Sequence, residues 1–303
     1  MRLRANLAIL ITASLALAGS VVSQARSVTI ASEPAAKVFI DGVLYGKTNK
    51  DGHLEIKSVA AGGHTLMLRC DGFKEKTQSL LATARGELRV PLVQTTDEAE
   101  LAFQDAERLA LEDRDKAIAA YQKAIKLRPN FPEAYVAIAR IQADALDVDG
   151  AKKSIQTARR LRPGYAEASA VEGRIHKDND EEVLAIAAFK RAITEGRGFQ
   201  PEAYAGLGLL YKEKAERFGG AGDFTNEDAN YLEAAKNLKV ALKQLSGAPD
   251  AIVIYQLIGE IYEKMQEYKK AIAVYEEFLR LFPNSVEATA VQSFIVQLKK
   301  DNP

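Results

Sequence analysis

Few side chains in this sequence are equipped for chemistry. The chain of 303 residues has one cysteine, Cys70, and three histidines, His53, His64 and His176. A lone thiol closes no intrachain disulfide, and three scattered histidines leave little for a zinc site. His176 has Asp178 and Asp180 close by, yet it lacks the further ligands such a site uses. No nucleophile elbow, phosphate-cradling loop or dinucleotide fingerprint occurs. The many glutamates allow a carboxylate pair of the glycosidase kind to be imagined, but they lie mostly on polar helix faces, where charge is the default. The expectation is a chain with no catalytic residue, no cofactor and no metal.

Length and charge narrow the class further. Lys plus Arg and Asp plus Glu both number 41, so the formal net charge is zero. That balance excludes a polybasic nucleic-acid binder and an acidic disordered tail as descriptions of the whole chain. With 47% apolar and 27% charged residues, the composition is that of a folded protein of about two domains.

The first 25 residues stand apart. Arg2 and Arg4 precede an uncharged run from Ala5 to Ala25 whose most apolar parts are Leu7–Ile11 and Leu15–Ala18. A charged start, a short apolar stretch and small residues beyond it make a secretory signal peptide. Ser23-Gln24-Ala25 places the cut after Ala25, with Ala16-Leu17-Ala18 as second choice. Leu17-Ala18-Gly19-Ser20 resembles a bacterial lipoprotein box, but serine offers no thiol for the lipid. Retention as an N-terminal anchor is the alternative, and the only route to a membrane.

From residue 27 to 94 the pattern is short alternating strands and turn signals, with no helix-length periodicity. Asp41-Gly42 sits between Lys37–Ile40 and Val43–Gly46, a pair suited to a tight hairpin because both residues accept positive φ. Asp51-Gly52, Gly62-Gly63 and Asp71-Gly72 repeat the signal. Period two puts Leu66, Leu68 and Cys70 on one strand face, so Cys70 reads as a small buried residue. The ordered set Ser32-Glu33-Pro34, Val38–Gly42, Gly46-Lys47-Thr48, Gly63-His64 and Asp71-Gly72-Phe73 resembles the PEGA domain. Its name-giving Pro-Glu-Gly-Ala is degraded here to Glu33-Pro34-Ala35-Ala36. The resemblance implies a compact β-sandwich-like module of exported or surface bacterial proteins, without catalysis, and a structural role for His64.

Residues 95–303 repeat. Ala117, Ala151 and Ala185 are 34 apart, as are Tyr121, Ile155 and Phe189, then Ala124, Ala158 and Ala192, and also Pro129 and Pro163. Ala117, Tyr121, Ala124 and Ile125 share one helical face, and Pro129 ends that helix for want of an N–H. Tyr204-x2-Leu207-Gly208-x2-Tyr211 and Tyr255-x2-Ile258-Gly259-x2-Tyr262, with Ala271-x3-Tyr275 and Pro283, resemble the tetratricopeptide repeat. Five repeats over about 98–284 and a closing helix, Val286 to Lys299, are predicted. In the fourth repeat Gly208 to Ala234 spans 26 residues where Ala139 to Ala151 spans 12. The surplus is expected as a surface loop over Phe218–Thr225, with Thr225-x-x-Asp228 resembling an N-cap that restarts a helix longer than usual.

The resemblance implies that the first helix of each repeat lines a concave groove. Its groove columns fall on Glu133, Val136, Arg140 and Asp144, then Ala170, Arg174, Lys177 and Asp178. Further on they fall on Ala205, Leu209, Lys212 and Glu213, and on Gln256, Glu260 and Glu263. Arg140 and Arg174, 34 apart, are expected to stack with Lys177 and Lys212 into a basic stripe for an acidic peptide. The fold class expected is α+β multidomain: a signal peptide at 1–25, a small all-β sandwich-like module at 27–94 and an all-α solenoid at 95–303. The function expected is a non-enzymatic protein–protein interaction scaffold of the bacterial periplasm or cell envelope. It binds a partner segment in the groove and an envelope component through the β module. A self-assembling surface-layer component and an envelope hydrolase are the alternatives.

Overall fold

The structure, a computed structural model, describes residues 26–301, with side chains through residue 300. The export segment expected at 1–25 lies outside the described residues. Seven strands come first: β1 (Arg26–Ala31), β2 (Lys37–Ile40), β3 (Val43–Lys47), β4 (His53–Val59), β5 (His64–Arg69), β6 (Lys76–Leu80) and β7 (Gly86–Arg89). They form a three-stranded sheet ordered β4-β1-β7 and a four-stranded sheet ordered β3-β2-β5-β6. Alternation decides the faces. Val28, Ile30, Val38, Ile40, Leu66 and Leu68 are buried while Thr29, Phe39 and Met67 between them are more exposed.

The turn chemistry is as the dipeptides require. Asp41 and Gly42 join β2 to β3 at φ +50° and +81°. Asp41 also accepts the Thr65 N–H at 2.7 Å and lies 2.6 Å from Nδ1 of His64, whose Nε2 is 2.9 Å from the Ala60 carbonyl. His64 is thereby a clip between a turn and a strand end. Cys70 is buried, and burial, then the charge of Asp71, pushes its thiol pKa up, which makes it a poor nucleophile.

Eleven helices follow: α1 (Glu98–Leu109), α2 (Arg114–Leu127), α3 (Pro132–Asp144), α4 (Val148–Leu161), α5 (Ala166–Asp178), α6 (Glu182–Glu195), α7 (Pro201–Gly220), α8 (Phe224–Leu245), α9 (Ala251–Lys264), α10 (Tyr268–Leu281) and α11 (Ala288–Asp301). Consecutive helices pair as hairpins from α1–α2 to α9–α10, and α11 lies on α10. Asp97, Asp113, Asp147 and Asp223 cap helix starts by accepting N–H groups of the first turn, each worth about 1 kcal/mol. Prolines open α3 and α7, where a missing N–H is harmless. Leu146, Asp180, Gly222 and Gln266 take positive φ in the turns inside successive hairpins.

The repeated small residues are hollows for aromatic rings. A Cβ on Gly173 would stand 2.5 Å from Cδ1 of Phe189, and one on Gly206 would stand 2.2 Å from Cζ of the same ring. Gly259 faces Tyr275 in the same way, with Cε1 at 2.2 Å, and Gly208 faces Leu238. Phe189, which is 1% exposed, is therefore clamped between α5 and α7. Burying a ring of this size stabilises by about 1.5–3 kcal/mol.

The expected loop over Phe218–Thr225 is instead helical hairpin. Helix α7 runs 20 residues and α8 runs 22, against 13 and 14 in α3 and α4. Both arms thus gain about two turns, roughly 10 Å. The turn is only Ala221-Gly222-Asp223, and Asp223, not Thr225, caps α8 by accepting the Asn226 N–H at 3.2 Å. Apolar residues in the added turns, Ala215 and Tyr231, are buried against each other's helix, so the segment had a helical face to bury.

The β module is held at two distant points. Near its own end, Gln104 of α1 bridges the Gly72 N–H and the Phe73 carbonyl, both at 2.8 Å. Glu107 takes Lys37 at 2.8 Å and Arg69. At the far end, the Tyr45 hydroxyl donates to the Leu245 carbonyl at 3.0 Å, and the Ser58 and Ser246 hydroxyls share a hydrogen bond of 3.1 Å. Gly247 has no room for a Cβ, which would lie 2.9 Å from Cβ of Ser58. Burial holds the Tyr45 phenol up at about 12, so this contact stays neutral.

Because Phe189 cannot retreat from both glycines, Gly173→Ala should destabilise by about 1–3 kcal/mol despite alanine's better helix propensity. Adding Phe189→Leu should recover part of that loss. Chemical denaturation of the two single variants and the double variant measures the coupling, and strict additivity would contradict the clamp.

Candidate functional site

First helices of successive repeats touch one another, α3 with α5 and α5 with α7. Arg140 of α3 even reaches Glu202 of α7, two hairpins on, through paired hydrogen bonds of 2.8 and 2.6 Å. Contacts that skip a repeat occur only on the inside of a curve. The first helices therefore line the inner face.

That face is a network of ion pairs between repeats. Arg140 adds Glu167 of α5 at 3.4 Å. Burial opposes its charge, but Glu202 and then Glu167 outweigh that and raise its pKa. Lys177 lies 3.0 Å from Asp178 and 3.1 Å from Glu213 of α7, and Lys212 lies 2.6 Å from Glu216 and 3.2 Å from Glu260 of α9. Arg174 reaches back toward Asp144, with Nη2 at 3.3 Å, and its Nε and Nη2 make no hydrogen bond. Arg140, Arg174, Lys177 and Lys212, expected as a basic stripe, are drawn into these pairs. Each cation already faces a carboxylate, most of them on a neighbouring repeat, and Arg140 and Arg174 point to different partners.

Other predicted positions fare differently. Val136 is 2% exposed and Ala170 is wholly buried; close approach of α3 and α5 puts these columns inside the stack. Glu133 is paired with Arg162. Leu209 and Gln256 are half-buried on the inner side, and Glu260 keeps 46% of its side chain exposed. His176 is nearly buried, with Nδ1 on Glu181 of the following turn and Nε2 4.0 Å from Glu172. Glu181 also takes Lys152 of α4 at 2.9 Å. The hydrogen bond from His176, then that from Lys152, holds the Glu181 carboxyl down at about 2. No group of three or more potential metal ligands occurs among the described residues, and no described helix is long and apolar enough to cross a membrane.

Two arginines escaped the sequence reading. Arg128 and Arg162 sit in the links between repeats, 34 residues apart. Arg128 lies over the Phe131 ring with 4.7 Å to the centroid, and Arg162 over Tyr165 with 4.5 Å. Arg128-Pro129-Asn130-Phe131 and Arg162-Pro163-Gly164-Tyr165 carried that signal in their common spacing. They line a cleft of about 1010 Å³, which the β module closes from the other side.

Hairpins stacked with their first helices inward form a repeat solenoid, the architecture of protein–protein interaction scaffolds. Models described as tetratricopeptide repeat match residues 136–201 and 252–285, and one described as TPR repeat matches 108–144. The chain carries tetratricopeptide repeats. Among solved structures it is similar to yeast Tom70, with TM-score 0.54 and 17% identity over 68% of this chain and 41% of that one. It is similar as well to the Cut9–Hcn1 hetero-tetramer of APC/C, with TM-score 0.51 and 18% identity over 68% of this chain and 37% of that one. MamA gives TM-score 0.41 and 25% identity over 58% of this chain and 93% of its own. No curated protein matches.

Glu181 yields a pH prediction. Its carboxyl ionises at about 2 in the fold against an ordinary 4.5, so its contribution is intact above 4.5 and is lost as pH falls toward 2. Glu181→Gln should flatten the acid limb of stability in that window and leave its shape near neutral pH unchanged. Thermal melts from pH 7 to 2 test this, and parallel curves for the variant and the parent would refute it.

Proposed function

We propose that this chain is an exported, non-enzymatic scaffold of the bacterial periplasm or cell envelope whose inner face binds a segment of another protein. The observation that carries the reading is the inward stacking of the first helices, which presents side chains from different repeats to one elongated partner. Affinity on such a face comes from a few positions rather than from area. Leu209 and Gln256 are half-buried members of that face outside the ion-pair network.

Export is supported by Arg2, Arg4 and the uncharged run to Ala25. The PEGA-like signature of residues 28–92 supports an envelope setting, with the β module as the part that meets an envelope component. A self-assembling role has one observation in its favour: α11 leaves Phe294 and Val296 49% and 60% exposed at the end of the array.

Photo-crosslinking groups at Leu209 and Gln256 should capture one protein from intact envelopes, and a group at the outward Leu184 of α6 should not. The mature chain should begin at Arg26. Equal capture from all three positions, or a chain retained in the cytosol, would refute the proposal; capture of only a second copy would establish self-assembly instead.

A further inference from the structure

The cleft between the β module and the first three repeats is not an open stretch of groove. One wall is the outer face of the four-stranded sheet, where Phe39 and Met67 stand opposite each other on β2 and β5. The other is the link region carrying Arg128 and Arg162. The sheet wall is fixed, because the β module is tied both to α1 and to the α8–α9 link.

We propose that this cleft holds an extended partner segment in which carboxylate side chains alternate with apolar ones. The inference rests on the partner-binding reading above and assigns the chemistry of the bound segment.

Hydrogen-bonding capacity decides the sign of the charge. Arg128 gives Nη2 to Asp97 at 2.5 Å, and Arg162 gives Nη2 to Glu133. Their other guanidinium nitrogens have no partner among the described residues, and their side chains stay 41% and 46% exposed. The other acids of the same cleft are already engaged: Glu75 holds Arg69 at 2.6 Å, and Glu100 accepts the Glu75 N–H at 2.7 Å and the Thr95 hydroxyl at 3.3 Å. Glu107 holds Arg69 and Lys37, and Glu167 holds Arg140 and the Tyr165 hydroxyl at 2.9 Å. What remains unmet is donors, so the incoming group must accept, and carboxylates match the guanidinium fork.

Order is also in place beforehand. An aromatic face behind each guanidinium and one carboxylate at its edge fix its plane, so less freedom is lost on binding. The opposite wall is apolar at Met67 and at Phe39, whose ring also carries the Arg69 guanidinium 5.7 Å from its centroid. An extended chain sends successive side chains to opposite sides, so alternation puts acids on the arginines and apolar groups on the sheet.

The test uses the mature full chain and three labelled octapeptides, alternating Glu-Val, Lys-Val and Ser-Val, read by fluorescence anisotropy at fixed salt. The Glu-Val peptide should bind at least tenfold tighter than either other peptide. Arg128→Gln with Arg162→Gln should weaken it at least tenfold, and Met67→Ser severalfold, while Leu184→Ser on the outer side of α6 leaves it unchanged. If the glutamine double variant melts early, Arg128→Lys with Arg162→Lys should still weaken binding, because charge remains but the fork is lost. Tighter binding of Lys-Val, equal binding of all three or binding of none would overturn the proposal. Glu-Val binding that responds to Leu209→Ser but not to the arginine variants would overturn it too, and would leave the inner-face reading standing.

Discussion

A ring needs a hollow, and the whole array depends on that match. Phe189 lies between two glycines on different helices, Gly173 and Gly206, and Tyr275 lies in the hollow left by Gly259. Close packing forbids any side chain there. In hairpins α5–α6 and α9–α10 these ring-against-glycine contacts set how closely the helices approach, and Leu238 fills the same kind of hollow at Gly208 in α7–α8. Alanines at 117, 151, 185 and 271 are wholly buried for the same reason.

Charge is arranged on top of this geometry. Once curvature brings α3, α5 and α7 together, Arg140 can reach Glu167 and Glu202 at once. Exposed pairs contribute little singly, and networks contribute more. These pairs run from one repeat to the next, so they resist sliding of neighbouring hairpins. They also remove most inner-face cations from the list of groups free to meet a ligand. Arg128 and Arg162 each combine one carboxylate partner with aromatic stacking, which fixes their planes and leaves donors over.

The β module adds a constraint that a bare solenoid lacks. It touches α1 through ion pairs and amide hydrogen bonds, and the α8–α9 link through neutral contacts around Tyr45, Ser58 and Gly247. Bridging residues about 200 positions apart makes a closed circuit of protein. Such a circuit limits how far the array can stretch, unlike an unsupported row of repeats whose units contact only neighbours.

Periodicity determined a good deal by itself. Columns at a step of 34, prolines after second helices and Asp-Gly between short apolar runs are local features, and local sterics act the same in any context. Five hairpins, the closing helix, the Asp41-Gly42 turn and the burial of Cys70 were legible for that reason. The length of α8 was legible too, but the extension of α7 through Gly219 and Gly220 was not, because those glycines and Gly222 suggest a loop unless Ala215 and Tyr231 find a helical face to join. Val136 and Arg140 occupy neighbouring groove columns in the sequence, yet one is buried and the other is claimed by a glutamate two hairpins away. The pairing of Tyr45 with Leu245 likewise has no local trace. Which charges meet, and which faces stay open, depends on curvature summed over several repeats, and that sum exists only in the folded chain.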